Sequence, residues 1–139
     1  MKIVDYERRF IAFLIDIAFS AILVTFVLSL CGIFFSDFTL GHAISIFFPC
    51  TCFALFIYLT LSYRIFRGLS IGGVMCNVRI VNKDGTDLRF KTCFIRAALL
   101  GLLILAVYNI FYMMLLRTQI SFYDEATDTR AIQRIEIEY

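Results

Sequence analysis

The run FIAFLIDIAFSAILVTFVLSLCGIFF, residues 10–35, constrains this chain more than any other feature, because it is long and mostly apolar and carries a single charge, Asp16. As a helix it crosses about 30 Å of hydrocarbon with some tilt. The apolar core of a secretory leader is only about 7–15 residues, so the length argues for a lasting span. A carboxylate at that depth costs about 2.5–3.5 kcal/mol on insertion scales. Asp16 therefore needs a partner, a proton or a function.

Two further apolar segments follow, at residues 43–63, with Pro49 in its first turns and a kink expected there, and at residues 96–116. Apolar residues make up 61% of the chain and charged ones 17%. An average globular chain has roughly 45–50% and 25%. A chain of 139 residues cannot bury that much apolar surface in one aqueous core. The expectation is a single domain, residues 1–139, built as an all-α membrane bundle of about three hydrophobic segments. Between them lie a loop at 64–95 and a tail at 117–139. Alternation in NVRIVN and AIQRIEIEY, with a turn at Asp84–Gly85, adds a small β element with strands near 77–82 and 131–138.

Charge placement sets the orientation. Lys2, Arg8 and Arg9 precede the first run, and seven Lys and Arg residues fill 64–96, whereas residues 36–42 carry none. By the positive-inside rule the N-terminus and the 64–95 loop are cytoplasmic. The tail is harder to place. An unbroken apolar segment at 96–116 favours a crossing, while Arg117 and pairing of the two strands favour a cytoplasmic tail, reached if the segment bends back around Tyr108–Asn109. The balance falls on the bend.

Arg9 and Asp16 are seven residues apart and share a helix face, about 10 Å apart along the axis, so a salt bridge between them would need a bridging water or a bent side chain. Ala12 and Ser20 extend that face into a small, polar strip suited to close helix approach. On the third segment Ala97 and Gly101 form a second such strip, with Asn109 two turns further on. Asp16 reads either as a neutralised or hydrogen-bonded carboxyl that pins helix packing, or as a proton- or cation-binding group on a transport path. Asp124 alone reads as a solvated loop residue.

Standard catalytic chemistry is not expected. The one histidine, His42, stands with Cys50 and Cys52 in a weak metal pattern, and five cysteines without a CxxC pair read as buried free thiols. GLSIGG lacks the setting of a phosphate cradle, and no nucleic-acid signature accompanies the basic residues. No cofactor, no metal, no nucleic acid and no enzymatic activity are expected. The basic 64–96 segment suits anionic lipid headgroups.

The opening RFIAFLID, with an arginine, an alanine three residues on and an aspartate seven on, resembles the start of the RDD family of small bacterial membrane proteins. SIGGVMCNVRIVNKDGTDLRF resembles its middle landmark, Arg96 fits the arginine that follows, and FYDEATDT, ending at Thr129 five residues after Asp124, resembles its closing motif. Gly73 and Val74 replace a usual basic pair, Asn77 a common glycine, and Tyr123 a frequent histidine. The resemblance implies that Arg9, Asp16 and Asp124 are the family's named residues, raises Asp124 above a solvated loop residue, and favours a cytoplasmic tail. It implies transport of an ion or small ligand, with cation/proton exchange one form. Three apolar segments are few for such a pathway, so a homo-oligomer or a partner membrane protein is expected. Ion or ligand binding would fall to Arg9, Asp16 and Asp124, with Ser20, Arg96 and Asn109 in support. The alternative is a non-catalytic subunit that scaffolds a larger complex or binds anionic lipid. Either way the location expected is the bacterial inner membrane.

Overall fold

The computed structural model describes residues 4–34, 39–116 and 120–133. Two long helices dominate, α1 (Tyr6–Phe34) and α2 (Leu40–Ile65). Each is long and apolar enough to cross a membrane, and only 22% of each most apolar window is buried. A core helix of a soluble protein would be mostly buried, so these exposed apolar faces match lipid as their solvent. Helix α2 begins at Leu40 rather than 43 because Thr39 and His42 form a capping box there, and it runs on through Pro49. His42 therefore belongs to a helix turn and not to the preceding loop.

After α2 come a short helix α3 (Ile71–Met75), strand β1 (Val78–Asn82), helices α4 (Phe90–Gly101), α5 (Leu103–Leu116) and α6 (Phe122–Ala126), and strand β2 (Thr129–Gln133). The strands pair antiparallel with Ile80 opposite Ala131 and Asn82 opposite Thr129. The second strand starts two residues earlier than expected, and residues 134–138 of that expectation lie outside the described residues. Asn77, just before β1, has φ +60°, a left-handed conformation that asparagine tolerates better than most side chains. That accounts for asparagine at a position where the family resemblance expects glycine.

The third apolar segment is not one rod. It starts at Phe90 and breaks at Leu102, whose ψ of 87° leaves the helical region. The break falls beside Gly101, a weak helix former, and not at Tyr108–Asn109, which lie inside α5. With 12 and 14 residues, α4 and α5 are about 18 and 21 Å long, each too short to cross the hydrocarbon alone. Helix α4 packs along α2, where Phe94 meets Phe56 edge-on at 5.0 Å and Gly101 faces the Cys52 carbonyl. The chain then returns. Phe122 packs between Tyr108 and Tyr112 of α5, at 6.0 and 6.1 Å, and brings β2 back beside β1.

The core lies between α2 and α4, on Leu55, Leu59, Cys93 and Ala97, and continues through Tyr63 and Tyr123 to Ile80 and Ala131 of the sheet. All five cysteines are free; only Cys93 is fully buried, the others being half-buried.

Candidate functional site

Ala12, Asp16 and Ser20 form one buried stripe of α1, at 5%, 2% and 0% exposure. What approaches it is the start of α3, a short helix the sequence reading did not find. The approach is close: a Cβ at Gly72 would overlap the Ala12 carbonyl oxygen. Asp16 Oδ1 accepts from Tyr58 Oη at 2.8 Å and from the Gly72 N–H at 2.9 Å, and Oδ2 accepts from Ser70 Oγ at 2.7 Å. Those hydroxyls are themselves oriented by backbone, since Ile71 N–H donates to Tyr58 Oη and Gly73 N–H to Ser70 Oγ. The first three N–H groups of α3, which have no partner within the helix, all end in this network.

The buried acid is thus compensated by neutral donors, not by Arg9. Three of the roughly four acceptor positions of a carboxylate are filled, leaving one on Oδ2. Ser20 sits on the same stripe, but its hydroxyl returns to the Asp16 carbonyl oxygen at 3.0 Å and does not reach the carboxylate. Ser70→Ala removes a helix cap and one donor to a buried acid together. Its expected cost is about 1–2 kcal/mol, read from thermal unfolding in detergent; no loss would refute this network.

Arg9 turns instead to Asp124. Its Nη1 lies 2.5 Å from Asp124 Oδ2, while Nε and Nη2 donate to the carbonyls of Val4 and Ala131, each at 3.2 Å. From the other side Arg96 Nη1 lies 2.7 Å from Asp124 Oδ1 and also reaches Thr129 Oγ1. Asp124 is held locally by a capping box with Ser121 at the start of α6. It is fully buried, and Arg96 is 5% exposed. Burial by itself would raise the Asp124 carboxyl; the charges of Arg96 and then Arg9, with their hydrogen bonds, outweigh it and hold the group below the ordinary carboxylate range. The solvated-loop reading of Asp124 is therefore corrected: the residue ties α1, α4 and the sheet together.

Asn109 does not continue the Ala97–Gly101 face, because the break at Leu102 intervenes. From α5 its Oδ1 accepts from the Phe122 N–H at 2.8 Å and fixes the return of the chain. Between the Asp16 network and the Arg9–Asp124–Arg96 cluster lies a cavity of about 280 Å³. Both Asp16 and the two arginines border it, as do Asn109 and Tyr123, and its walls are otherwise mostly apolar, including Phe13, Leu100 and Met113.

Of the six sequence candidates, Arg9, Asp124 and Arg96 meet directly, Asp16 borders the same cavity as the two arginines, Ser20 serves a backbone bond within α1, and Asn109 one to the start of α6. Tyr58, Ser70 and Gly72 were missed as partners of Asp16. They are 42, 54 and 56 residues away in sequence, and the one local signal was Ser70 as a helix cap ahead of the two glycines.

The model of the family described as RDD matches residues 4–128, which takes in Arg9, Asp16, Arg96 and Asp124 together. No curated protein and no solved structure matches the chain.

Proposed function

The chain belongs to the RDD family, its two long apolar helices mark a membrane protein, and on that premise we propose a non-catalytic, transport-related protein for an ion or small ligand. In this reading α1 and α2 cross the bacterial inner membrane, and α4 and α5 dip into it and return. The N-terminus, the sheet and the tail are cytoplasmic, where the exposed Arg64, Arg67, Lys83, Arg89 and Lys91 meet anionic headgroups at about 1 kcal/mol each. Two crossings per chain are too few for an alternating-access pathway, so the working unit is an oligomer or includes a partner.

The observation that carries the proposal is the cavity bordered on one side by Asp16, with an acceptor position to spare, and on the other by Arg9 and Arg96. Ionisable groups facing an internal cavity at membrane depth are the usual makings of an ion or proton path. Cation/proton exchange is the form that uses Asp16 directly. In vesicles reconstituted with the chain, cation-driven pH change is expected in wild type and at least tenfold less in Asp16→Asn, with folding checked on the same sample. Absence of flux in wild type, or full flux in the variant, would overturn the proposal in favour of a scaffolding or lipid-binding subunit.

A further inference from the structure

Helix α3 has almost no apolar anchor. Its three apolar side chains, Ile71, Val74 and Met75, are 40%, 48% and 70% exposed, and the two residues it buries are glycines. Burial of side chains therefore contributes little to holding it. The other five-residue helix, α6, is fastened by buried Tyr123 and Asp124. What fastens α3 is the Asp16 carboxylate, reached from Ser70 Oγ at 2.7 Å, from the Gly72 N–H at 2.9 Å and, through Tyr58 Oη, from the Ile71 N–H. Gly68, Ser70 and Gly73 also line the cavity that Asp16 borders. One carboxylate thus holds a piece of the cavity wall in place.

That hold depends on charge. Hydrogen bonds to an ionised acceptor are roughly twice as strong as neutral ones, so a proton on Asp16 weakens all three bonds at once. It also conflicts with one of them. An ionised carboxylate only accepts, whereas a protonated one must donate as well. Ser70 already directs its hydrogen to Oδ2 while accepting from the Gly73 N–H, so it has to turn when Oδ2 is protonated. The titratable and charged groups about Asp16 are Tyr58 and Tyr63 of α2, Cys76 after α3, and Arg9 of α1 and Arg96 of α4 on the cavity wall. Both arginines are bound to Asp124, and the donors that engage Asp16 are all neutral. The bonds that sustain its ionised form are therefore the ones that dock α3, and docking and proton uptake oppose each other by linkage.

We infer that α3 is a proton-released latch on the cavity, docked on α1 while Asp16 is ionised and withdrawn once Oδ2 takes up a proton, which opens the wall on the side of the 64–95 loop. The one bond formed is the new O–H, its proton supplied by water, and the Ser70 hydroxyl turns away in the same step. The inference rests on the proposed reading in taking Asp16 as the proton-binding group, and it gives that site its regulation: the proton that is exchanged also moves the wall.

Amide hydrogen exchange of the full chain in phosphatidylcholine nanodiscs, read by NMR at about pH 8 and about pH 5 and corrected for intrinsic rates, tests the latch. In wild type the protection of Ile71, Gly72 and Gly73 is expected to fall at least tenfold at the lower pH, with strand β2 unchanged as the check on folding. Asp16→Asn, which carries a donor in place of the charge, is expected to show the low protection at both pH values. Tyr58→Phe, which leaves the acid, Ser70 and Gly72 in place, is expected to lower the protection and still respond to pH. Equal protection of α3 at both pH values in wild type, or a wild-type pH response in Asp16→Asn, would overturn the latch. The readout needs no flux. A chain that exchanges cations with α3 equally protected at both pH values keeps the proposed function and loses the latch, and a chain without flux whose α3 responds to pH does the reverse.

Discussion

Asp124→Asn is expected to cost about 3–5 kcal/mol, the range for removing one partner from a buried ion pair. The loss is large because Arg9 and Arg96 would both stay behind in a site where Asp124 is fully buried and their own side chains are 11% and 6% exposed. Unfolding in mixed micelles, followed by circular dichroism, gives the number. A control separates the ion pair from the shape of the site. Replacing Arg9 and Arg96 by methionine and Asp124 by leucine together removes every charge, so the triple variant should be less destabilised than Asp124→Asn alone. A single variant within about 1 kcal/mol of wild type would show that the cluster does not hold the fold.

The same carboxyl sets an acid limit. Because its folded pKa lies below the unfolded value of about 3.9, its contribution is complete above that value and falls away as pH drops through the folded pKa. Unfolding of wild type should therefore become easier below about pH 4, and the charge-free triple variant should lack that part of the acid sensitivity.

Gly72→Ala carries the second large effect, about 3 kcal/mol, at the upper end for overpacking a core. The added Cβ would meet the Ala12 carbonyl oxygen, which is backbone and cannot rotate away. Helix α3 must then retreat from α1, taking with it the Gly72 N–H and Ser70 Oγ that Asp16 accepts from. Two readouts follow: a lower melting temperature, and faster hydrogen exchange at the amides of Ile71, Gly72 and Gly73. A melt equal to wild type would mean that the close approach of α1 and α3 is not required.

The parts of this fold legible in the sequence are those with a local cause. The long apolar runs gave α1 and α2 because a helix in lipid needs only length and hydrophobicity, and alternation with the Asp84–Gly85 turn gave β1. The stripe of Ala12, Asp16 and Ser20 followed from helical spacing. Helix α3 was invisible because two glycines and five residues give neither propensity nor periodicity; it exists because Asp16, Tyr58 and Ser70 receive its N–H groups. The break at Leu102 was hidden inside an apolar stretch with no proline.

Asp16 shows the division most clearly. Its place in an apolar run dictates that the acid be compensated, and the family pattern names it beside Arg9 and Asp124. Neither says by what. Seven residues from Arg9 on the same face, it has no bond to it; it is satisfied by donors from α2 and α3, while Arg9 closes on Asp124, 115 residues away. The sequence alone determined which groups could not be left exposed to lipid, because burial cost is a property of each residue. Only the tertiary structure decided which groups meet, because hydrogen bonds and ion pairs form over about 3 Å, and that proximity is created by the packing of segments far apart in the chain.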